Sequence, residues 1–167
     1  MKKIKKIADI PDHPNQRDLI GQRKYQGLDL RDSDINTDEY LRRAFLNDTN
    51  LSGVNFSGKD LQGAGFNNSN LSDTNLTDAN LSKCVFENAD LRGADLRGAK
   101  LSEADFSGAN LQGAKLPKKI IYACFAEACL HNVDLSHRIL EDCDMKGAKM
   151  EKTNLEGTKF IRCRILG

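Results

Sequence analysis

Tryptophan is missing from this 167-residue chain, tyrosine occurs three times, and aromatic residues make up only 6%. A core of this composition is built from aliphatic side chains and a few phenylalanines, unlike the varied interior of an ordinary enzyme domain. Proline is scarce, with three copies. Neither sign of charge prevails: 25 basic residues stand against 24 acidic ones, for a net +1. A protein that holds nucleic acid without sequence preference should be clearly basic, and one that copies a duplex clearly acidic; the totals favour neither. No apolar run approaches the roughly 20 residues needed to cross a bilayer. The start, MKKIKKIADIP, has the basic residues of a secretory signal without its continuous apolar stretch. Five cysteines are an odd number without framework spacing, which suits a reducing compartment, so the expected location is the cytosol.

What the chain does have is a period. From Leu46 a large apolar residue recurs at every fifth position through Leu116, including Leu51, Phe56, Leu61, Phe66, Leu71 and Leu76. Two places before each stands a small residue, as in Ala64, Ser69, Thr74 and Ala79, and between the two most often Asn or Asp. The period slips by one residue near Pro117, within 117–121, and runs on from Phe125 to Ile165. Lys59 and Arg138 are the two misfits in the small row. A period of five suits neither helix nor strand, because on a helix it would carry the large residue around the whole surface. It demands a backbone that turns every five residues and points two side chains inward, so that four such steps close a square coil. Phe66, Phe86 and Phe106 lie 20 residues apart and Phe125 follows after 19, so a square coil would stack all four in one ladder. Cys143 and Cys163 would stack in the small row of that same face.

The pattern Ala-Asp/Asn-Leu, seen at Ala79-Asn80-Leu81, Ala89-Asp90-Leu91, Ala94-Asp95-Leu96 and Ala109-Asn110-Leu111, resembles the pentapeptide-repeat family. The resemblance covers about residues 44–167 and implies an all-β solenoid, a right-handed quadrilateral β-helix. From Leu46 to Ile165 it would make about six coils.

Residues 1–27 lack the repeat and read as an N-terminal arm or cap, leaving 28–167 for the β-helix. Thr37, followed by Asp38 and Glu39, reads as the N-cap of a short helix over 37–45, either a lid on the first coil or a loop bulging from it. At the other end Ile161 and Leu166 fall where the rest of the rod is polar. They would either pair two copies end to end as a homodimer or fold back as a minimal cap.

Little in the side chains suggests chemistry. Cys124, Cys129 and His131 have a superficial zinc spacing, but on a square coil the two thiols sit on adjacent faces and diverge. Asp134, Ser136 and His137 are too close in sequence to converge as a triad. Cys84, Cys143 and Cys163 replace alanine in the inward small row and should be buried. The glycines serve turns, and no phosphate-binding loop pattern exists. No catalytic residue, cofactor or metal is therefore expected, and the chain reads as a non-catalytic protein-binding or scaffold module with an unidentified protein partner. Direct nucleic-acid binding and a membrane span are not expected.

The candidate contact surface is Tyr122, Ile139, Ile161 and Leu166, apolar residues where the repeat calls for polar ones. Two other readings follow from the family resemblance. One is an acidic DNA mimic that inhibits or protects DNA gyrase, as in quinolone resistance. Against it, residues 46–116 carry nine acids to six bases, and both flanks are net positive. The other is a secreted bacterial effector that binds a host protein, with the N-terminal arm as its export segment.

Overall fold

The computed structural model describes residues 25–35 and 41–165, and of Lys2–Lys3 the backbone alone. The described chain winds as a four-sided parallel solenoid. Its large inward residues form four rows. Face 1 carries Tyr25, Leu46, Phe66, Phe86, Phe106, Phe125, Met145 and Ile165, and face 2 carries Leu30, Leu51, Leu71, Leu91, Leu111, Leu130 and Met150. Face 3 follows with Ile35, Phe56, Leu76, Leu96, Leu116, Leu135 and Leu155, and face 4 with Leu41, Leu61, Leu81, Leu101, Ile120, Leu140 and Phe160. At ~4.8 Å per backbone layer, the eight members of the first row span about seven turns and roughly 34 Å. The phenylalanine ladder is present: ring centroids of Phe66, Phe86, Phe106 and Phe125 are 4.9, 4.8 and 5.1 Å apart, with planes within 4°.

Each five-residue step has a local cause. The N–H of the small residue returns to the carbonyl of the preceding large one, as from Ala79 to Leu76 at 3.2 Å, closing a four-residue turn. Its third residue has a positive φ, near 57° at Asp78 and 72° at Gly63, which is where Gly, Asn and Asp are least penalised. The Asn or Asp before each large residue caps the turn. Asn50, Asn70, Asn80 and Asp95, among others, accept from the backbone N–H two residues on at 3.0–3.3 Å. Buried hydroxyls in the small row are satisfied as well: Thr74 donates to Leu51 O at 3.2 Å and Ser69 to Leu46 O at 2.5 Å.

Only short stretches pair as extended strands. β1 (Lys2–Lys3) pairs in parallel with β2 (Leu28–Asp29). β3 (Lys119–Ile121), β4 (Ile139–Glu141) and β5 (Lys159–Ile161) form a parallel three-stranded sheet on face 4. The helix expected over 37–45 needs correction. Residues 36–40 lie outside the described residues, but 41–45 are an ordinary coil step: Leu41 is buried above Leu61, and Phe45 pairs with Gly65. Leu41 meets the five-residue spacing to Leu46, and that tertiary demand overrides the local capping signal. Leu166 also falls outside the described residues.

The slip sits between Leu116 and Ile120, where a four-residue step carries the chain from face 3 to face 4. On faces 1 and 2 the ladder runs through it, from Asp105 to Cys124 and from Asn110 to Cys129. On faces 3 and 4 it breaks. Lys115 has no bridge to the coil above it, and neither has Lys100, while the N–H groups of Leu101 and Glu103 reach no carbonyl there. Pro117 suits the break: Lys115 cannot cap as Asn or Asp does, and proline has no N–H to be capped. Arg138 fills part of the opening, its Nε donating to Leu116 O at 3.3 Å.

Candidate functional site

With the interior filled by four rows of side chains, function has to be sought on the outward faces, and these differ sharply in charge. Over residues 41–165, face 1 carries Asp48, Glu87, Asp105, Glu127 and Asp144 against Lys146 and Arg164. Face 2 is balanced, with Asp73, Asp90 and Glu151 against Arg92, Lys149 and Lys152. Face 3 has Asp78, Asp95, Asp134 and Glu156 against Arg97 and Lys115. Face 4 gathers the bases. Lys59, Lys118 and Arg138 stand in its small row, Lys100, Lys119 and Lys159 just before the large residues, and Arg42, Arg43, Lys83 and Arg162 beyond them. Only Asp60, Glu103, Glu141 and Asp142 oppose these ten, so a nearly neutral chain presents one face of net +6.

Those four acids are already committed. Asp60 pairs with Arg42 at 3.3 Å and Glu103 with Lys83 at 3.6 Å. Glu141 lies 3.2 Å from Lys119 and 2.8 Å from Arg162, and Asp142 lies 2.6 Å from Arg162. The Arg162 guanidinium and the Lys119 ammonium hold the Glu141 carboxyl below its ordinary range, and Arg162 does the same to Asp142. Among the described residues Lys59, Lys100, Lys118 and Lys159 have no ion pair, so the surplus charge is available to a partner.

Three of the four candidate contact residues fall on this same face. Ile139 is half-buried and lies in register between Lys119 and Lys159. Ile161 is exposed and shares a register line with Glu141 and Ile121. They are therefore neighbours, but Glu141 separates Ile121 from Ile161, and the apolar groups form a checkerboard with charge instead of an unbroken strip. Tyr122 is the most exposed large hydrophobic residue among those described, at 58%, and holds φ at 57°. For a bulky residue that backbone is costly, and burial gives Tyr122 little in return. Beside it the broken ladder opens a cleft of about 360 Å³, lined by Ser82, Ala99, Lys100, Leu101, Ser102, Lys119, Ile121 and Tyr122.

Lys100, Lys118 and Lys119 had no place in the sequence reading, although a signal was there. Lys59 and Arg138 are the two misfits of the small row, and counting in steps of 20 with the slip puts both, with Lys118, in one vertical line. Cys124 lies on face 1 and Cys129 on face 2, both free and half-buried, and Cys84 and Cys143 are buried inward, whereas Cys163, expected to be buried, is only half-buried in the last described coil. Desolvation pushes the Cys84 thiol up to about 12 and that of Cys143 to about 11. His131 Nδ1 accepts the Glu151 N–H at 3.0 Å, and among the described residues no group of three His, Cys, Asp or Glu is placed to hold a metal ion.

A family model for pentapeptide repeats matches eight copies over residues 40–68, 79–116 and 122–165, and the chain belongs to the pentapeptide repeat family. Its fold is that family's right-handed quadrilateral β-helix. The unmatched 117–121 is the slipped step. Among solved structures the chain is similar to QnrB1, a plasmid-mediated fluoroquinolone resistance protein, with a TM-score of 0.62 and 18% identity over 86% of this chain and 73% of that one. Such identity speaks for the fold alone. It is also similar to a pentapeptide repeat protein of Nostoc PCC 7120, at 35% identity over 71% of this chain and 82% of that one, with a TM-score of 0.48. A third likeness is to a pentapeptide repeat protein of the Arabidopsis thaliana thylakoid lumen, at 33% identity over 65% of this chain and 63% of that one, with a TM-score of 0.46. No curated protein matches the chain.

Proposed function

We propose that the chain is a non-catalytic docking rod whose face 4 engages another protein around Tyr122, Ile139 and Ile161. The single observation that carries this is Tyr122, a large side chain held exposed on a left-handed backbone beside a cleft, where glycine or asparagine would serve the turn better. A rigid solenoid lets such a face be presented without reorganisation, which lowers the cost of binding. A photo-crosslinking amino acid placed at Tyr122 in the source cells should capture a discrete protein, whereas one placed at His131 on face 2 should not. Equal capture at both positions, or none at Tyr122, would remove the reading.

A gyrase-directed acidic mimic has weaker support. Asp90 and Asp95, in the most regular coils, are each gripped by the arginine two residues on, Arg92 and Arg97, at 2.6 Å. Their charge is neutralised in place, and face 4 of the rod is basic. A supercoiling assay with and without a fluoroquinolone separates the two readings. Export as an effector would rest on the N-terminal arm, most of which lies outside the described residues. We also propose self-association through the last described coil, where Leu155, Ile161 and Ile165 are exposed.

A further inference from the structure

Face 4 at the slipped joint combines three features that meet nowhere else among the described residues. The first is the break in the ladder, which leaves the coil of Leu101 and the coil of Ile120 apart and opens the cleft between them. The second is charge. Lys100 and Lys119 occupy equivalent positions on the two sides of the break, and Lys118 stands next to them. In the regular coils this position stacks a charge on a neutral or opposite partner, as Asp90 on Asn70 and Lys115 on Asp95, because like charges one layer apart repel. Here the repulsion is left in place, and only Lys119 has an acid beside it. The third is the apolar floor: Ala99 and Leu101 line the cleft with Ile121, and Tyr122 stands exposed at its side.

Resting on the docking reading above, we propose that this joint is a binding site for an acidic segment of a partner protein, with a large apolar side chain entering the cleft and flanking carboxylates meeting Lys100, Lys118 and Lys119. The mixture of groups sets the partner's class. A nucleic-acid backbone offers phosphates and sugars, and its protein contacts are dominated by polar and basic groups. Its backbone makes no use of an apolar floor of Ala99, Leu101 and Ile121. A protein segment satisfies all of it, since an apolar anchor in a pocket with a charged rim is the usual anatomy of a protein contact. The rim lysines then act mainly on encounter and on rejection of basic partners, and the cleft on residence time.

The test is to pan a displayed library of random peptides against the full-length chain, and against Lys100→Glu, Tyr122→Asn and, as a control on face 2, Lys149→Glu. Tyr122→Asn keeps a residue that tolerates the turn, so a loss there is not a folding failure, and thermal melts of all variants check this directly. The expected result is enrichment of peptides carrying acids around one large apolar residue. Their affinity should fall roughly tenfold or more on Lys100→Glu and on Tyr122→Asn and be unchanged on Lys149→Glu. Enrichment of neutral or basic peptides, no enrichment beyond that on Lys100→Glu, or equal binding to all variants would overturn the proposal. So would a short DNA duplex or vesicles of anionic phospholipid that bind the chain more tightly than any selected peptide and lose binding on Lys100→Glu. Crosslinking of a protein at Tyr122 without acidic-peptide binding would sink the chemistry proposed here and leave the docking reading standing.

Discussion

At the scale of single residues, the exposed Tyr122 and the buried Phe86 make opposite predictions. Moving a bulky residue out of a left-handed backbone should relieve strain on the order of 1–2 kcal/mol. Tyr122→Gly or Tyr122→Asn is therefore expected to raise stability in urea melts by about 1 kcal/mol while weakening partner binding. A substitution that destabilises instead would mean the ring packs better than its exposure indicates. Phe86 is fully buried and stacked between Phe66 and Phe106, so Phe86→Ala should cost about 3–5 kcal/mol and Phe86→Leu much less. Burial also sorts the thiols. With Cys84 pushed up to about 12 and Cys143 to about 11, neither should react with iodoacetamide at pH 8 in the folded protein. Cys124, Cys129 and Cys163, all half-buried, should react first, which peptide mass spectrometry after a timed pulse would read. The phenylalanine ladder was legible in the sequence because a square coil turns a spacing of 20 into a stack. The strain at Tyr122 was not, since a tyrosine next to isoleucines reads simply as surface hydrophobicity until its φ is known.

One scale up, the five-residue step is overdetermined, and the slipped step shows what happens when its parts are withheld. Asn or Asp before the large residue, a left-handed third turn residue and a small residue after it all point to the same turn, which is why the repeat could be recognised locally. At 115–120 the capping position holds Lys115, the position to be capped holds Pro117 and a residue is missing, so two of the four ladders break. The sequence shows the missing residue directly. It does not show which faces lose their hydrogen bonds, because that depends on where the shortened step falls around the square. Inserting one glycine between Lys118 and Lys119 restores the five-residue step. It is expected to bring the Leu101 and Glu103 N–H groups back to carbonyls and to stabilise the protein by about 1–2 kcal/mol. It should also slow hydrogen exchange at those two amides and close the cleft. If exchange at Leu101 is already as slow in the parent chain as at Leu91, the joint is not open and the cleft argument falls with it.

For the molecule as a whole, the composition concealed the arrangement. A net charge of +1 hid a face of +6 balanced by acidic faces 1 and 3, because a period of five laid over a coil of four steps sends residues 20 apart to one wall and residues five apart to different walls. On the other walls Asp90, Asp95 and Asp144 are tied into the fold's own ion pairs. Arg92 and Arg97, by side-chain hydrogen bonding, hold the Asp90 and Asp95 carboxyls below the ordinary carboxylate range. A lowered folded-state pKa contributes stability that is present above the unfolded value near 3.9 and lost as pH falls through the folded one. Denaturant midpoints should therefore be flat from neutral pH down to about pH 5 and then decline. Arg92→Ala and Arg97→Ala should make that acid decline shallower, at a cost at neutral pH of under about 1 kcal/mol each because the pairs are largely exposed. The last described coil has the reverse problem. Met150 and Phe160 are only half-buried, and Leu155 and Ile165 are 41% and 38% exposed, although all four belong to inward rows that are fully covered in the coils below. An inward row that meets water loses roughly 25 cal/mol for each Å² it leaves exposed, and a second copy stacked on the same coil is one arrangement that covers it. Equilibrium sedimentation should then show a mass that rises with concentration, and Leu155→Glu with Ile165→Lys should hold the chain monomeric without lowering its melting temperature at high dilution. A parent chain that stays monomeric at all concentrations would remove the proposal of self-association through this coil.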